Sequence, residues 1–215
     1  MNCKKRLLIV FILFLAGFTY AQSDTSELVL TKNQLVFIEL NKMNPHILLD
    51  IRYATKNNFT GKVVYPEARA FLVDDAAYSL DSVQKELKTM GLGLKVYDAY
   101  RPLSVQRIFW EIMPDERYVA DPKKGSRHNR GMAVDLTLVD KNGKELSMPT
   151  EYDDFTEKAH RDYMKLTDEQ IKNRKILEDV MIKYGFKGLP TEWWHFDYRG
   201  WEDYDVMDVK FKDIK

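Results

Sequence analysis

The chain is nearly without cysteine: there is one in 215 residues, Cys3. It precedes the first apolar run, a poor position for lipid attachment, in a segment expected to be removed. The mature protein is then left with no disulfide and no thiolate. Any metal site must use histidine and carboxylate, and any nucleophile must be something other than cysteine. Histidine is scarce too, with only His46, His128, His160 and His195. Net charge is also missing. Thirty-three Lys and Arg balance 33 Asp and Glu, with no continuous basic stripe. That excludes the basic excess of a phosphate-backbone binder, and no nucleic-acid partner is expected. No internal repeat or low-complexity linker interrupts the chain. At 45% hydrophobic and 31% charged the composition is globular rather than disordered. The length suffices for one domain with a substantial core.

A long hydrophobic run is lacking as well. The uncharged stretch 7–18 falls short of the roughly 20 residues of a membrane-spanning helix. Lys4, Lys5 and Arg6 precede it, and Thr19, Tyr20 and Ala21 offer a small-residue cleavage site before polar Gln22. This is the three-part pattern of a secretory signal peptide. An uncleaved anchor is the alternative, but no stop-transfer pattern follows. Residues 1–21 are expected to be the signal and 22–215 one domain. The mature protein would be periplasmic or secreted, with no stable membrane span. Cleavage removes three basic residues, leaving 30 Lys and Arg against 33 Asp and Glu, a net charge of about −3.

Hydrophobic patterning predicts the elements. Residues 47–53 (ILLDIRY) read as a strand and 57–61 (NNFTG) as a turn or loop. A helix follows Asp74 and Asp75, with Leu80, Val83, Leu87 and Met90 on one face and Gly91 and Gly93 ending it. A short buried strand covers 94–97, a second helix 105–113, and a loop 125–131. Residues 132–139 alternate as a strand. Val134, Leu136 and Leu138 form its apolar face; Ala133, Asp135 and Thr137 form the more polar one. A helix over 168–184 carries Leu177, Val180, Met181 and Tyr184 on one face, and Gly185 stops it. The aromatic block 193–196 after Pro190 suits a last core strand. Strands and helices mix without a regular βα repeat. The expected class is α+β, a single domain with a central antiparallel or mixed sheet flanked by helices.

Two histidines sit in suggestive settings. His128 lies in a loop, seven residues before Asp135 on a strand, and Gly131 between them lets the backbone bend. His195 follows Glu192 by three residues. Two His and one Asp suit catalytic zinc, with a fourth position open to water. A free carboxylate such as Glu192 could then take the water's proton and pass it to a leaving amine. On a flat strand, however, Glu192 and His195 would point to opposite faces. A bend or bulge is required, or Glu192 must sit in the loop before the strand. Spacing alone leaves other readings open: a core histidine with a hydrogen-bond partner, a paired aspartate, an exposed loop histidine.

Together, Ser126-x-His128-x-x-Gly131-x-Ala133-x-Asp135 and Glu192-x-x-His195 resemble the zinc D-Ala-D-Ala peptidases. That superfamily includes carboxypeptidases, phage endolysins and the hedgehog-like domain. Arg52-Tyr53-Ala54-Thr55, Asn58-Phe59-Thr60-Gly61, Asp98-Ala99-Tyr100-Arg101-Pro102 and Glu192-Trp193-Trp194-His195 narrow the resemblance to the D-alanyl-D-alanine dipeptidases of the vancomycin-resistance type. It spans residues 49–198.

The resemblance implies a hedgehog/DD-peptidase-like fold and one Zn2+ per chain, held by His128, Asp135 and His195. It makes Glu192 the general base and Arg101 the oxyanion stabiliser, with a structural salt bridge from Arg101 to Asp98 as the alternative. Asp153 would bind the substrate ammonium, Asp154 being an off-by-one alternative, and Tyr53 and Ser126 would line the pocket. The implied substrate is the small peptide D-Ala-D-Ala, cut to two D-alanines in cell-wall peptide turnover. A D,D-carboxypeptidase or endopeptidase acting on peptidoglycan stems is the alternative. A non-catalytic wall-binding module would lack the base or the oxyanion residue, and both are present. The best-known members work in the cytoplasm. An export signal departs from them and favours recycling or scavenging over resistance. Oligomeric state is not legible.

Overall fold

The computed structural model describes residues 35–214, so the expected signal peptide, residues 1–21, lies outside the described residues. Alternation in the middle of the chain produces the central strand, β5 (Ala133–Asp140). With β2 (Leu48–Leu49), β4 (Leu92–Asp98), β6 (Phe186–Leu189) and β7 (Glu192–Tyr198) it forms a five-stranded sheet of order β2-β4-β5-β7-β6. Only the β2–β4 pair is parallel, so the sheet is mixed, within the expected α+β class.

The helices bury most of their expected faces, except that Met90, expected on the first of them, caps its C-terminus and is half exposed. α2 (Asp74–Thr89) buries Leu80, Val83 and Leu87. Two acidic residues in its first turn complement the helix dipole. α4 (Asp168–Lys183) starts at a capping box, with Thr167 and Gln170 each satisfying the other's backbone N–H. It buries Leu177, Val180 and Met181. These side chains share one core cluster with Val134, Leu136 and Leu138 of β5. α3 (Leu103–Ile112) begins directly after Pro102.

Several expectations need correction. Residues 47–53 are not one strand. Only Leu48 and Leu49 pair with β4, and Arg52–Ala54 turn into a 3-10 helix. Local polar groups outcompete the ladder there. The Asn58 amide donates to the carbonyls of Arg52, Thr55 and Lys62, and the Thr55 hydroxyl donates to that of Arg52. This turn brings the Tyr53 ring inward. Gly93 does not end α2. It lies within β4, where a Cβ would come within 3.3 Å of Gln84 Nε2 and Val139 Cγ2. A small second sheet pairs β1 (Phe37–Glu39) with β3 (Phe71–Val73), and one helical turn, α1 (Leu40–Met43), follows β1.

Gly131 is where the chain needs glycine most. Its φ is +67°, and a Cβ would lie 2.9 Å from Val73 Cγ2 and 3.0 Å from Phe37 Cε1. Gly131→Ala is expected to lower the urea unfolding free energy by about 2–4 kcal/mol, combining left-handed strain with overpacking. A loss below about 0.5 kcal/mol, the range of ordinary surface changes, would contradict this account.

Candidate metal and active site

The site forms where β4, β5 and β7 run side by side. Register places Asp135 opposite His195 on one flank and opposite Asp98 on the other. The 3-10 turn His128–Arg130, closed by Gly131, lowers His128 toward the same point. Its shape is held from within: Ser126 Oγ accepts from His128 N (3.2 Å), and Asn129 Oδ1 accepts from Ser126 N (2.7 Å). His128, Asp135 and His195 are 2%, 3% and 7% exposed. Each offers one ligand atom, and these atoms lie within 4.8 Å of one another.

The hydrogen bonds show what belongs between them. His128 Nδ1 faces the Ala99 carbonyl at 2.7 Å, and His195 Nε2 faces Asp197 Oδ1 at 2.8 Å. Both partners accept only, so these ring nitrogens carry the protons. The opposite nitrogens, His128 Nε2 and His195 Nδ1, then present lone pairs to each other at 3.1 Å. Asp135 Oδ1 lies 3.3 Å from the first and 2.9 Å from the second. Three acceptors converging in a buried place require a cation, and this donor set fits a divalent metal. In its absence a proton plays that part. Burial alone would lower the pKa of His195, but Asp197 and Asp135 hold it up at about 10. Burial likewise opposes the charge on Asp135, yet the two imidazoles keep its pKa below the usual carboxylate range.

Glu192 stands beside this cluster, its Oε2 3.9 Å from His195 Nδ1. The geometric condition set by the sequence is met by a bulge. Leu189 pairs with Glu192, but the adjacent Gly188 pairs with Phe196. Trp193, Trp194 and His195 therefore have no partner on β6, and the distortion lets Glu192 and His195 line one cleft. Burial pushes the Glu192 carboxyl up to about 7.

The cleft holds about 140 Å³ and is also lined by Tyr53, Arg101, Ser126 and Asp153. It is smaller than the pockets that take drug-sized ligands. Arg101 Nε and Nη2 donate to Asp98 at 3.1 and 2.7 Å, and Nη1 donates to Gln106 Oε1 at 2.9 Å. The salt bridge to Asp98 therefore exists, and it orients a guanidinium that also lines the cleft. Three of its five N–H donors are used, and two are left over. Asp98 is itself fixed by Tyr65 and the Ala99 amide.

Asp153 lies across the cleft with φ +61°. Its carboxylate accepts from the Tyr53 hydroxyl at 3.2 and 3.3 Å and from Phe59 N at 3.4 Å. Burial, with repulsion from Asp135, pushes its carboxyl up to about 8. Asp154 does not line the cleft; its side chain accepts from Thr156 N. All eight residues singled out from the sequence thus meet at one cleft.

Sequence reasoning missed the residues that hold these. Tyr152 lies 2.9 Å from Asp135 Oδ2 and 3.2 Å from the Tyr53 hydroxyl, linking the two walls of the cleft. Asp197, two residues after His195 on the same strand face, was within reach of the alternation rule. Tyr152 carried no signal, because its contacts are 17 and 99 residues away.

A buried His-Asp-His cluster with a glutamate beside it, on an α+β sheet, has the donor set and the neighbouring carboxylate that a metal-dependent hydrolase uses. Residues 33–213 match the peptidase M15 family model, described as D-ala-D-ala dipeptidase. The chain is 36% identical over 189 residues to the D-alanyl-D-alanine dipeptidase of Escherichia coli, covering 88% of this chain and 93% of that one. It is 31% identical over 181 residues to the D-alanyl-D-alanine dipeptidase of Enterococcus faecalis, covering 74% and 90%. Among solved structures it is similar to the vancomycin-resistance D,D-dipeptidase VanXYg in complex with a D-Ala-D-Ala phosphinate analogue, at 20% identity and TM-score 0.39, covering 77% of this chain and 68% of that one. This chain belongs to the D-ala-D-ala dipeptidase family, a family of zinc peptidases.

Proposed function

We propose that the chain is an exported enzyme that hydrolyses free D-alanyl-D-alanine to two D-alanines, using one zinc ion held by His128, Asp135 and His195. The observation that carries this reading is the pairing of two features in one small cleft. One wall has three converging acceptors beside Glu192, and the other has the buried carboxyl group of Asp153, held by the Tyr53 hydroxyl and Phe59 N. The family supports the same chemistry, its relatives being D-alanyl-D-alanine dipeptidases.

Bound there, zinc supplies a water that ionises near neutral pH and a Lewis acid for the scissile carbonyl. Glu192 takes a proton from the attacking water on its carboxylate and delivers it to the leaving nitrogen. A base near pH 7 is matched to that task, and burial supplies the upward shift. The two unused donors of Arg101 serve the carbonyl oxygen as it gains negative charge, without reorganisation during the reaction. Asp153, steadied by Tyr53, pairs with the substrate ammonium, and that cation relieves its raised pKa. Tyr53 and Ser126 complete the cleft wall. The signal-like residues 1–21 support a role in recycling or scavenging wall peptides outside the cytoplasm. Fractionation that finds the protein in the cytoplasm with residue 1 retained would overturn that part.

The decisive test is a dipeptide panel on metal-loaded mature protein. Free D-Ala-D-Ala is expected to be hydrolysed, with N-acetyl-D-Ala-D-Ala and the L,L dipeptide resistant. Cleavage of the N-acetylated form with none of the free dipeptide would favour the carboxypeptidase or endopeptidase reading. Asp153→Asn is expected to lower kcat/KM for the free dipeptide about 100- to 1000-fold, the effect of breaking a desolvated ion pair. Asp154→Asn is expected to change it less than about threefold, because Asp154 lies outside the cleft. Equal effects of the two changes would show that the ammonium is held elsewhere.

A further inference from the structure

The bulge that brings Glu192 and His195 together removes part of the β6–β7 ladder. Trp193 and His195 are two residues apart, so their carbonyls point the same way. Tyr198 N bonds Met132 O, and Phe196 pairs with Val134. By alternation, the backbone groups of 193 and 195 are directed away from β5, toward β6. No β6 residue pairs with them. A buried carbonyl left unpaired costs about 1–3 kcal/mol.

One side chain fills the gap. Arg161 Nη2 donates to Trp193 O at 3.0 Å and to His195 O at 2.8 Å, and its Nε donates to Leu189 O at 2.9 Å. These three carbonyls belong to both strands around the bulge. The guanidinium stacks 4.3 Å from the Phe196 ring centroid, and Nη1 lies 3.4 Å from Glu178. Its own backbone N–H bonds Pro190 O at 2.9 Å, tying the segment to the β6–β7 turn. Gly188 leaves the space: a Cβ there would lie 2.2 Å from Arg161 Cζ. Arg161 does not itself line the cleft, although Leu189 and His195, whose carbonyls it holds, do.

We infer that Arg161 is a positioning residue whose guanidinium replaces the missing strand donors and so holds Glu192 and His195 on one wall of the cleft. The inference rests on the proposed function for the roles of those two residues. A planar fork reaches three carbonyls at once, which a lysine ammonium, a compact point charge, cannot do in the same geometry. Without the fork, β7 relaxes toward regular pairing, which turns Glu192 away from His195.

The test uses Arg161→Lys, which keeps the charge and the stem, and Gly188→Ala, which displaces the guanidinium while keeping it. Zinc Kd by chelator competition is measured with kcat and KM for D-Ala-D-Ala, well below each melting temperature. Both variants are expected to bind zinc about tenfold more weakly and to lose about tenfold or more in kcat, as for other groups that orient a metal ligand. KM is expected to stay within about twofold, because the substrate contacts of Asp153 are untouched. A purely structural role would lower the melting temperature and leave kcat and zinc Kd at wild-type values in the folded variant. That result in either variant would overturn the inference. Wild-type protein that neither binds zinc nor cleaves the dipeptide would instead overturn the proposed function.

Discussion

Glu192→Gln is expected to lower kcat by about 100- to 10,000-fold, the range supplied by a positioned general base, while zinc stays bound. The change removes the proposed proton acceptor but none of His128, Asp135 or His195. Its Oε2 lies 3.9 Å from His195 Nδ1, too far for a hydrogen bond that would orient that ring. KM should move little, because the loss falls on the transition state rather than on ground-state binding. Metal analysis and D-alanine release on the same sample check both halves. Near-normal turnover with zinc bound would remove Glu192 from the mechanism.

The same substitution has a second effect with a defined sign. Burial raises the folded pKa of Glu192 from 4.5 to about 7. The folded state therefore favours the proton, and the ionised carboxylate destabilises the metal-free fold above pH 7. Below pH 4.5 the group is protonated in both states and the difference vanishes. Metal-free Glu192→Gln should exceed wild type at pH 8 by up to about 3 kcal/mol and match it at pH 4. Urea unfolding at the two pH values reads this directly. Loss of function with gain of stability marks a group kept for chemistry.

The other large effect is loss of the metal. His195→Ala leaves two of three donors and opens the buried cluster around Asp135. Zinc binding is expected to be lost, and with it several kcal/mol of transition-state stabilisation, on the order of a thousandfold or more in rate. Chelation of the wild type should have the same effect, reversed by added zinc, whereas zinc should not restore the variant. Because Asp197 and Asp135 hold the metal-free His195 pKa at about 10, zinc binding at pH 7 should release about one proton. Calorimetry in buffers of different ionisation enthalpy measures it. A His195→Ala protein that kept tight zinc and wild-type turnover would show that the ligand set is wrong.

Much of the fold and site was legible because it rests on local pattern. The 3.6-residue period around Leu80, Val83 and Leu87 set α2, the period around Leu177, Val180 and Met181 set α4, and alternation from Val134 to Leu138 set β5. Residues 47–53 misled, since an apolar run reads as a strand whether or not side chains such as Asn58 claim its carbonyls. The short pairing of β1 with β3 was illegible because three-residue strands carry no period.

Residue types and spacing by themselves determined the chemistry available to this protein. With Cys3 the only cysteine, the candidates were His128, Asp135, His195 and the carboxylates near them, and the motifs around Arg101 and Glu192 tied them to one family. The tertiary structure decided how they meet. It placed Asp153 in the cleft and Asp154 outside it, gave Arg101 both a salt bridge and a place in the cleft, and supplied Tyr152 and Arg161 from distant segments. It also bent β7 so that residues three apart share a face. The physical reason is that local pattern follows the period of one element, whereas a bulge and the arginine that fills it depend on pairing between strands.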